Sequence, residues 1–291
     1  MPGFSSLDDF ILETTTNGKR QILPFYRTIN TGATSAAGAW HETFAAVGTG
    51  GTGAWSGTAG VGTAMTAATT GALPISPAAV STDLRYLIEM SAQVAATTAV
   101  PGWVMLTDML YYYPSCVITG TPTTLSNAAG RPARHNNGIG AELSAIVNGA
   151  NGAATPLLTC SYTNTVPTSG RSGTLASTLA SSPVGRMYGG TATGGTLTTP
   201  LMGRAAGDLG VNTLDSYAIT SGGTTGTVTF LIHRPIATIP LIAANAPSIK
   251  NYVGSIMPQI DDNACLGLFV NIGGALPAGQ VLQGEIQLAW G

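Results

Sequence analysis

The sequence predicts a mainly β protein: a jelly-roll-like antiparallel β-sandwich with a short N-terminal helical arm and a long Gly/Ala/Thr-rich loop region. Apolar, β-branched and aromatic runs recur after residue 80, turn residues separate them, and strands do not alternate with long helical segments. Short strands at this spacing are typical of antiparallel sandwiches and barrels. We therefore expect an eight-stranded sandwich over 81–291, preceded by an arm over 1–30 and an extended region over 31–80.

The arm carries the signals of a short amphipathic helix. Ser6 stands where an N-cap is expected, and Asp8 and Asp9 follow at the positive end of the helix dipole. Asn17-Gly18 predicts the end of the helix, and a strand over 21–28 is expected after it.

This arm is expected to contact a partner. A helix this short is only marginally stable in water unless it packs on something, and an arm at a chain end has little to pack on within its own sandwich. We therefore predict that residues 1–20 dock on a neighbouring subunit. The candidate contact residues are Phe4, Leu7, Phe10, Ile11 and Leu12.

The region from 31 to 70 is composed almost entirely of Gly, Ala, Thr and Ser, with Trp40, Phe44 and Trp55 as isolated aromatic residues. Such tracts are typical of flexible linkers. The spaced aromatic residues equally favour a long ordered loop against a neighbour, and both interpretations remain open. Trp40 and Trp55 are candidate contact residues, and the segment 81–93 fits either a short helix or a strand.

The strands after this region follow from apolar and aromatic runs bounded by Gly, Pro or Asn. We expect 211–220 and 226–234 to form a hairpin across Ser221-Gly222-Gly223, and 266–272 to pair with 281–290. Pro114 is expected to end the first strand. The predicted strands are 103–113, 140–147, 156–163, 211–220, 226–234, 266–272 and 281–290.

Composition limits the possible functions. Charged residues make up 8% of 291 residues, whereas an ordinary soluble domain carries about 25%. A net charge of −2 provides no basic face for nucleic acid or acidic lipid. A hydrophobic fraction of 44% argues against disorder. We expect a folded, non-enzymatic subunit whose weakly charged surface is largely covered by partners.

Membrane insertion and disulfide bonding are not expected. The most apolar run, 236–246, is about half of the ~20 residues that a membrane span needs, and Pro240 interrupts it. The first residues carry acids where a secretory signal needs basic side chains. Cys116, Cys160 and Cys265 are odd in number and far apart, so we expect small buried side chains in a protein made in a reducing cytosol.

No motif predicts a catalytic residue, a cofactor or a metal ion. The G-x-G-x-x-G match at 48–53 is not followed by a helix, so it does not indicate a dinucleotide site. His41, His135 and His233 are isolated and are expected to be structural. Asp261-Asp262-Asn263 lacks the alternating oxygen ligands of a calcium loop and predicts a turn before the next strand.

Two polar or aromatic clusters could serve binding. Arg131 and Arg134 could grip a carboxylate of a neighbouring subunit, or could belong to an exposed polar loop. Tyr111-Tyr112-Tyr113 would alternate across a strand, so we expect exposed phenols on one or both faces, and the favoured arrangement is one tyrosine packed in the core with two at the rim.

Several segments resemble virion structural proteins of tailed bacteriophages, of the minor capsid, head decoration or cement type. The resemblance covers the first twenty residues and 201–290, and it is carried by MPGFSSLDDFILETTTNGK, SIMPQIDDNACLGLFVNIGG and EIQLAWG. It implies a capsid-associated, oligomeric and non-enzymatic role on the virion. It brings no catalytic residues.

These observations lead to two expectations from different classes. The first is a protein on the capsid surface that reinforces the lattice by contacts with the major capsid protein and with itself, as a trimer. The alternative is a tail or head fibre module that binds host-surface glycan, with Tyr111–Tyr113 and Trp55 stacking on sugars. Neither requires a nucleic acid, a membrane or a cofactor.

Overall fold

The computed structural model describes residues 3–29, 38–80, 82–95, 101–128, 130–150, 152, 156–176, 184–189, 199–221, 225–274 and 279–291. In these ranges the chain is mainly β, with antiparallel sheets in a sandwich-like arrangement and a short N-terminal helix. The helices are α1 (Leu7–Ile11), a π-helical continuation (Leu12–Thr16) and a 3-10 turn (Ala133–Gly138). The strands are β1 (Arg20–Thr28), β2 (Ala39–Glu42), β3 (Thr63–Ala64), β4 (Arg85–Ala95), β5 (Gly102–Val117), β6 (Thr123–Thr124), β7 (Glu142–Gly149), β8 (Leu157–Asn164), β9 (Arg171–Ala176), β10 (Val211–Ser221), β11 (Thr227–Leu241), β12 (Ser248–Asn251), β13 (Gln259–Ile260), β14 (Leu266–Ile272) and β15 (Val281–Trp290).

The described strands form three sheets. The first sheet has the order β1-β15-β4-β12, with β13 also on β4. The central sheet has the order β2-β14-β5-β11-β7, with β3 on β5, and the third sheet is β6-β10-β8-β9. The described residues hold fifteen strands, and twelve of them, β4 to β15, lie within 81–291, where eight were expected.

The central sheet connects the other two because β5 and β11 are 16 and 15 residues long. One half of these strands packs on the first sheet, and the other half packs on the third. The first core includes Val104, Leu106 and Ile239 with Leu87, Met90 and Ile286. The second core includes Tyr113, Phe230 and Ile232 with Leu158, Tyr162 and Leu214.

The segment 184–189 joins the two edges of the central sheet. On β2, the Trp40 carbonyl accepts from the Met187 N–H at 2.9 Å. On β7, the Ala145 carbonyl accepts from the Tyr188 N–H at 2.8 Å. The sheet therefore closes on itself through this segment, around a third core that includes Met105, Met109, Leu231 and Phe269.

The Gly-rich region covers this third core, to which it contributes Phe44, Trp55 and Met65. Arg27 of β1, only 1% exposed, fixes the loop. Its guanidinium donates to the carbonyls of Ala46 at 3.1 Å and Gly51 at 2.8 Å, and to that of Gly71. Residues 38–80 therefore pack as an ordered loop on the same chain.

The small residues of this loop are required by close backbone approach. Gly50 has a φ of 86°, and a Cβ there would lie 1.9 Å from the Ala72 carbonyl oxygen. Only glycine fits such a position.

Several local predictions are confirmed. The Ser6 side chain caps α1 by accepting from the Asp9 N–H at 3.1 Å. The strand expected over 21–28 is β1, and the ambiguous segment 81–93 contains the start of β4. Cys116, Cys160 and Cys265 are free and buried.

Two strand pairings were predicted wrongly. β10 pairs with β6 and β8, whereas β11 pairs with β5 and β7. β14 pairs with β2 and β5, whereas β15 pairs with β1 and β4. Turn residues indicate where the chain reverses, but here each reversal carries the chain from one sheet to another. The turn residues 222–224 and 275–278 lie outside the described residues.

Pro114 does not end its strand. β5 continues to Val117 through an irregularity, because Tyr113 is opposite Phe230 and Cys116 is opposite Val228. Ser115 in between adopts a left-handed φ of 51°. A bulge accommodates a proline that cannot donate to the ladder.

Candidate functional site

An open cleft of about 750 Å³ brings together two polar motifs that are distant in the sequence. One wall is the turn that follows Pro132, and the other is the turn before β14. The lining residues are Ala133, Arg134, Asn136, Ile139, Gly140, Arg234, Asp261, Asp262 and Asn263.

Arg234, near the middle of β11, holds the two walls together. Its Nη1 donates to Asp261 Oδ2 at 2.6 Å on one side. On the other side, Nη2 donates to the Arg134 carbonyl at 2.8 Å and Nε to the Ile139 carbonyl at 3.3 Å.

Arg134 turns its side chain inward and forms a buried ion pair. Its Nε donates to Asp108 Oδ2 at 2.8 Å and its Nη2 to Asp108 Oδ1 at 3.2 Å. Nη2 also donates to the carbonyls of Met65 at 2.7 Å and Met109 at 3.0 Å. The Arg134 side chain is 6% exposed. It therefore fastens the Gly-rich loop and the turn to β5, and its guanidinium is already engaged by a carboxylate of this chain.

The Asp108 carboxyl experiences opposing influences. Burial raises its pKa, while the Arg134 guanidinium and the N–H of Cys265, which donates to Oδ1 at 2.8 Å, act to lower it.

The neighbouring Arg131 remains exposed and donates to Asn212 Oδ1 at 2.9 Å. Of the two predicted arginines, only Arg131 is thus at the surface.

The two cleft-wall asparagines hold left-handed backbone conformations, Asn136 at φ 45° and Asn263 at φ 57°, and so does the neighbouring Asn137 at φ 53°. Asparagine is one of the few side chains that tolerate this region.

The turn predicted for Asp261-Asp262-Asn263 is confirmed. Asp262 Oδ1 accepts from the Val80 N–H at 2.9 Å, which attaches this turn to the Gly-rich region.

Two histidines lie buried near the cleft. His135 is 2% exposed, and burial together with Arg131, Arg234 and Arg134 lowers its pKa to about 4. His233 lies between Thr107 Oγ1, 2.7 Å from Nδ1, and Ser144 Oγ, 2.8 Å from Nε2. Burial lowers the pKa of His233 to about 3.

The Ser144–His233 contact has the residue types of a nucleophile and its base, but it is closed to substrate. Ser144, His233 and Thr107 are each 0% exposed. Ser144 Oγ also donates to the Pro200 carbonyl at 2.6 Å. This group therefore holds the segment at Pro200 against the inside of the central sheet.

The buried histidines predict a loss of stability in acid. Both native pKa values lie below the usual 6.5, so below that pH the unfolded chain binds protons that the native chain does not. The free energy of unfolding should fall as pH drops from 6.5 towards 4, with each histidine contributing up to about 1.4 kcal/mol per pH unit.

Urea denaturation at pH 7, 6, 5 and 4 measures this dependence. His135→Gln should flatten the slope relative to the wild-type chain. Parallel curves for the two proteins would contradict the assignment.

Trp40 and Trp55 lie inside the chain, each 7% exposed. Trp55 packs against the tilted ring of Phe44 with centroids 4.5 Å apart and meets Tyr112 edge-on at 5.4 Å. Because both rings are buried, they offer little surface to a neighbouring subunit. The structure therefore gives no support to the subunit contact predicted for Trp40 and Trp55.

The prediction of exposed phenols is wrong. Tyr111, Tyr112 and Tyr113 are 0%, 7% and 0% exposed. Tyr111 and Tyr113 belong to the second core, whereas Tyr112 belongs to the third. The sequence could not reveal this, because covering both faces of β5 requires the third sheet and the Gly-rich loop together.

The arm has an inward and an outward side. Phe4 packs edge-on against Phe10 with centroids 5.0 Å apart and lies 5.8 Å from Tyr86 of β4. The arm thus finds a packing site on its own sandwich, which the sequence reasoning did not anticipate. Outward side chains remain well exposed: Leu7 at 62%, Ile11 at 48% and Leu12 at 49%.

Comparisons of the chain with protein-family models, with curated proteins and with solved structures find no match. Among the described residues, no helix has the length and apolar character that crossing a membrane requires. The same residues contain no group of three or more His, Cys, Asp or Glu side chains placed to hold a metal ion.

Proposed function

We propose that this chain is a non-enzymatic structural subunit of a tailed-phage virion that binds the capsid lattice and reinforces it, as decoration or cement proteins do. The observation that carries the proposal is the outward apolar side of the arm, formed by Leu7, Ile11 and Leu12. The weakly charged composition supports it, since such a surface suits contact with other protein.

Contacts with the sandwich hold the arm in the conformation in which its apolar side would bind a partner. Lys19 Nζ lies 2.9 Å from Glu13 Oε2 and 2.8 Å from Asp83 Oδ2, which ties the π-helical turn to the segment before β4. The Gly3 N–H donates to the Gly291 carbonyl at 2.7 Å. A preformed apolar side loses less conformational entropy on docking than a flexible tail does.

The proposed partners are the major capsid protein and further copies of this chain, in a trimer on the capsid surface. Closed symmetry repeats each contact, so that individually weak apolar contacts together give high avidity. Burying three aliphatic side chains contributes several kcal/mol per copy, at about 1.5–3 kcal/mol for each fully buried side chain.

The polar groups inside the chain support a structural role. Asp108 with Arg134, and His233 with Thr107 and Ser144, hold loops against the central sheet. The fibre-module alternative relied on Tyr111–Tyr113 and Trp55, all of which are buried. We therefore do not carry it forward as a second function.

The substitution set Leu7→Gln, Ile11→Gln and Leu12→Gln tests the proposed docking. These side chains are half-exposed or more, so the free energy of unfolding should change by less than about 1.5 kcal/mol, at ±0.5 kcal/mol per surface site. Attachment to capsids that lack the protein should weaken at least about tenfold, because burial of two or more aliphatic side chains is lost. Co-sedimentation with purified capsids measures the attachment.

Val166→Gln with Leu209→Gln provides the matched control, since these side chains are 71% and 67% exposed on loops away from the arm. The control should attach like the wild-type chain. Full attachment of the arm variant would contradict the proposal.

A further inference from the structure

We propose that the cleft between the turn after Pro132 and the turn before β14 binds a neutral polyhydroxylated ligand, that is, a saccharide. This binding is independent of lattice attachment through the arm. It rests on spare hydrogen-bonding capacity, on charges of both signs along the lining, and on preformed walls.

The cleft has polar atoms that the fold leaves available. Arg234 commits three of its five N–H donors, one each to Asp261, Arg134 and Ile139. In the described part of the chain, Asp261 is bonded through Oδ2 and Asp262 through Oδ1, which leaves their other oxygens available. The side-chain amides of Asn136 and Asn263 are exposed in the cleft and bond to no described protein group. Donors and acceptors therefore stand side by side, which matches hydroxyl groups because each hydroxyl both donates and accepts.

The charges of the cleft select against ions. Asp261 and Asp262 line it and would repel a phosphate or carboxylate, while Arg234 opposes a metal cation. Arg234 Nη1 lies 2.6 Å from Asp261 Oδ2, so a cationic and an anionic group stand together in the lining. A ligand without net charge avoids both penalties and can still bond to either group.

The shape of the cleft also fits a small carbohydrate. Its volume of about 750 Å³ lies within the usual 300–1,000 Å³ range of ligand sites. Ile139, 49% exposed, supplies an apolar surface for the C–H face of a sugar ring.

The walls are set before a ligand arrives. The Asn263 N–H donates to the Ala78 carbonyl at 2.8 Å, and the Asn136 carbonyl accepts from the Ile139 N–H at 3.2 Å. Held backbones aim their side chains without a further loss of entropy on binding, which favours affinity.

The test uses the full chain and ¹⁵N–¹H chemical-shift titration with maltotriose, cellotriose, N-acetyllactosamine and a mannotriose, each up to 20 mM. At least one should shift the side-chain amides of Asn136 and Asn263 in a saturable way. The double variant Asn136→Gly with Asn263→Gly should bind at least tenfold more weakly. Glycine accepts the left-handed φ at both sites, so removal of these amides should not unfold the chain.

Asn245→Gly is the matched control, because Asn245 has the same left-handed conformation, φ 56°, and does not line the cleft. It should bind like the wild-type chain. Failure of all four saccharides would overturn the proposal, as would saccharide binding that the double variant retains. Saturable shifts at the cleft with sodium phosphate, calcium chloride or trialanine in place of saccharide would overturn it as well.

Discussion

Replacing Arg27 by methionine should lower the free energy of unfolding by about 3–5 kcal/mol and release the Gly-rich cover of the third core. The change leaves the carbonyls of Ala46, Gly51 and Gly71 without their shared donor. Each buried polar group that loses its partner costs about 1–3 kcal/mol. Urea denaturation measures the loss, and hydrogen exchange should accelerate across 44–72.

Two further variants separate geometry from charge. Arg27→Lys retains the charge but loses the planar guanidinium that reaches three carbonyls at once, so an intermediate loss is expected. Arg20→Met, at an exposed position of the same strand, should cost no more than about 0.5 kcal/mol. A loss below 1 kcal/mol for Arg27→Met, with unchanged exchange in the loop, would show that Arg27 does not organise it.

Breaking the Asp108–Arg134 pair should have an effect of similar size. Asp108→Ala or Arg134→Met leaves one buried charge uncompensated, for which about 3–5 kcal/mol is expected. The double variant should cost much less than the sum of the two, because it removes both charges together. A coupling free energy of about 2 kcal/mol or more is expected from the cycle.

Chemical denaturation of the four proteins at pH 7 supplies the cycle. Asp108→Asn keeps an acceptor for the Cys265 N–H but removes the charge and one of the two oxygens that accept from Arg134, so it should also destabilise the chain. Additive losses in the cycle would contradict the ion pair as the fastening between β5 and the turn after Pro132.

The sequence predicted the helix and most strands correctly, because the signals for these elements lie within or next to the elements themselves. Ser6 marked the start of α1, Asn17-Gly18 marked its end, and the apolar runs marked most strands of the three sheets. The sequence did not indicate which strands pair with each other. β10 and β11 are neighbours along the chain, yet each completes a different sheet because their apolar sides face each other across the second core.

The cleft could be predicted only as separate parts. Asp261-Asp262-Asn263 read as a turn, and Arg131 to Asn137 as a polar cluster, but nothing local indicates that they meet across Arg234. One signal was available: Asp108 is a lone acid within the apolar run 103–113. A carboxylate in a buried strand needs a cationic partner, and Arg134 proved to be that partner.

Under the proposed function, a cryo-EM map of the tailed-phage particle on which this chain is proposed to reside tests the central claim most directly. The account predicts density for the chain at many symmetry-related positions on the capsid, with Leu7, Ile11 and Leu12 against the capsid protein or a neighbouring copy. Density confined to a few copies at the tail, absence of the chain from the particle, or an arm whose apolar side faces solvent would contradict it.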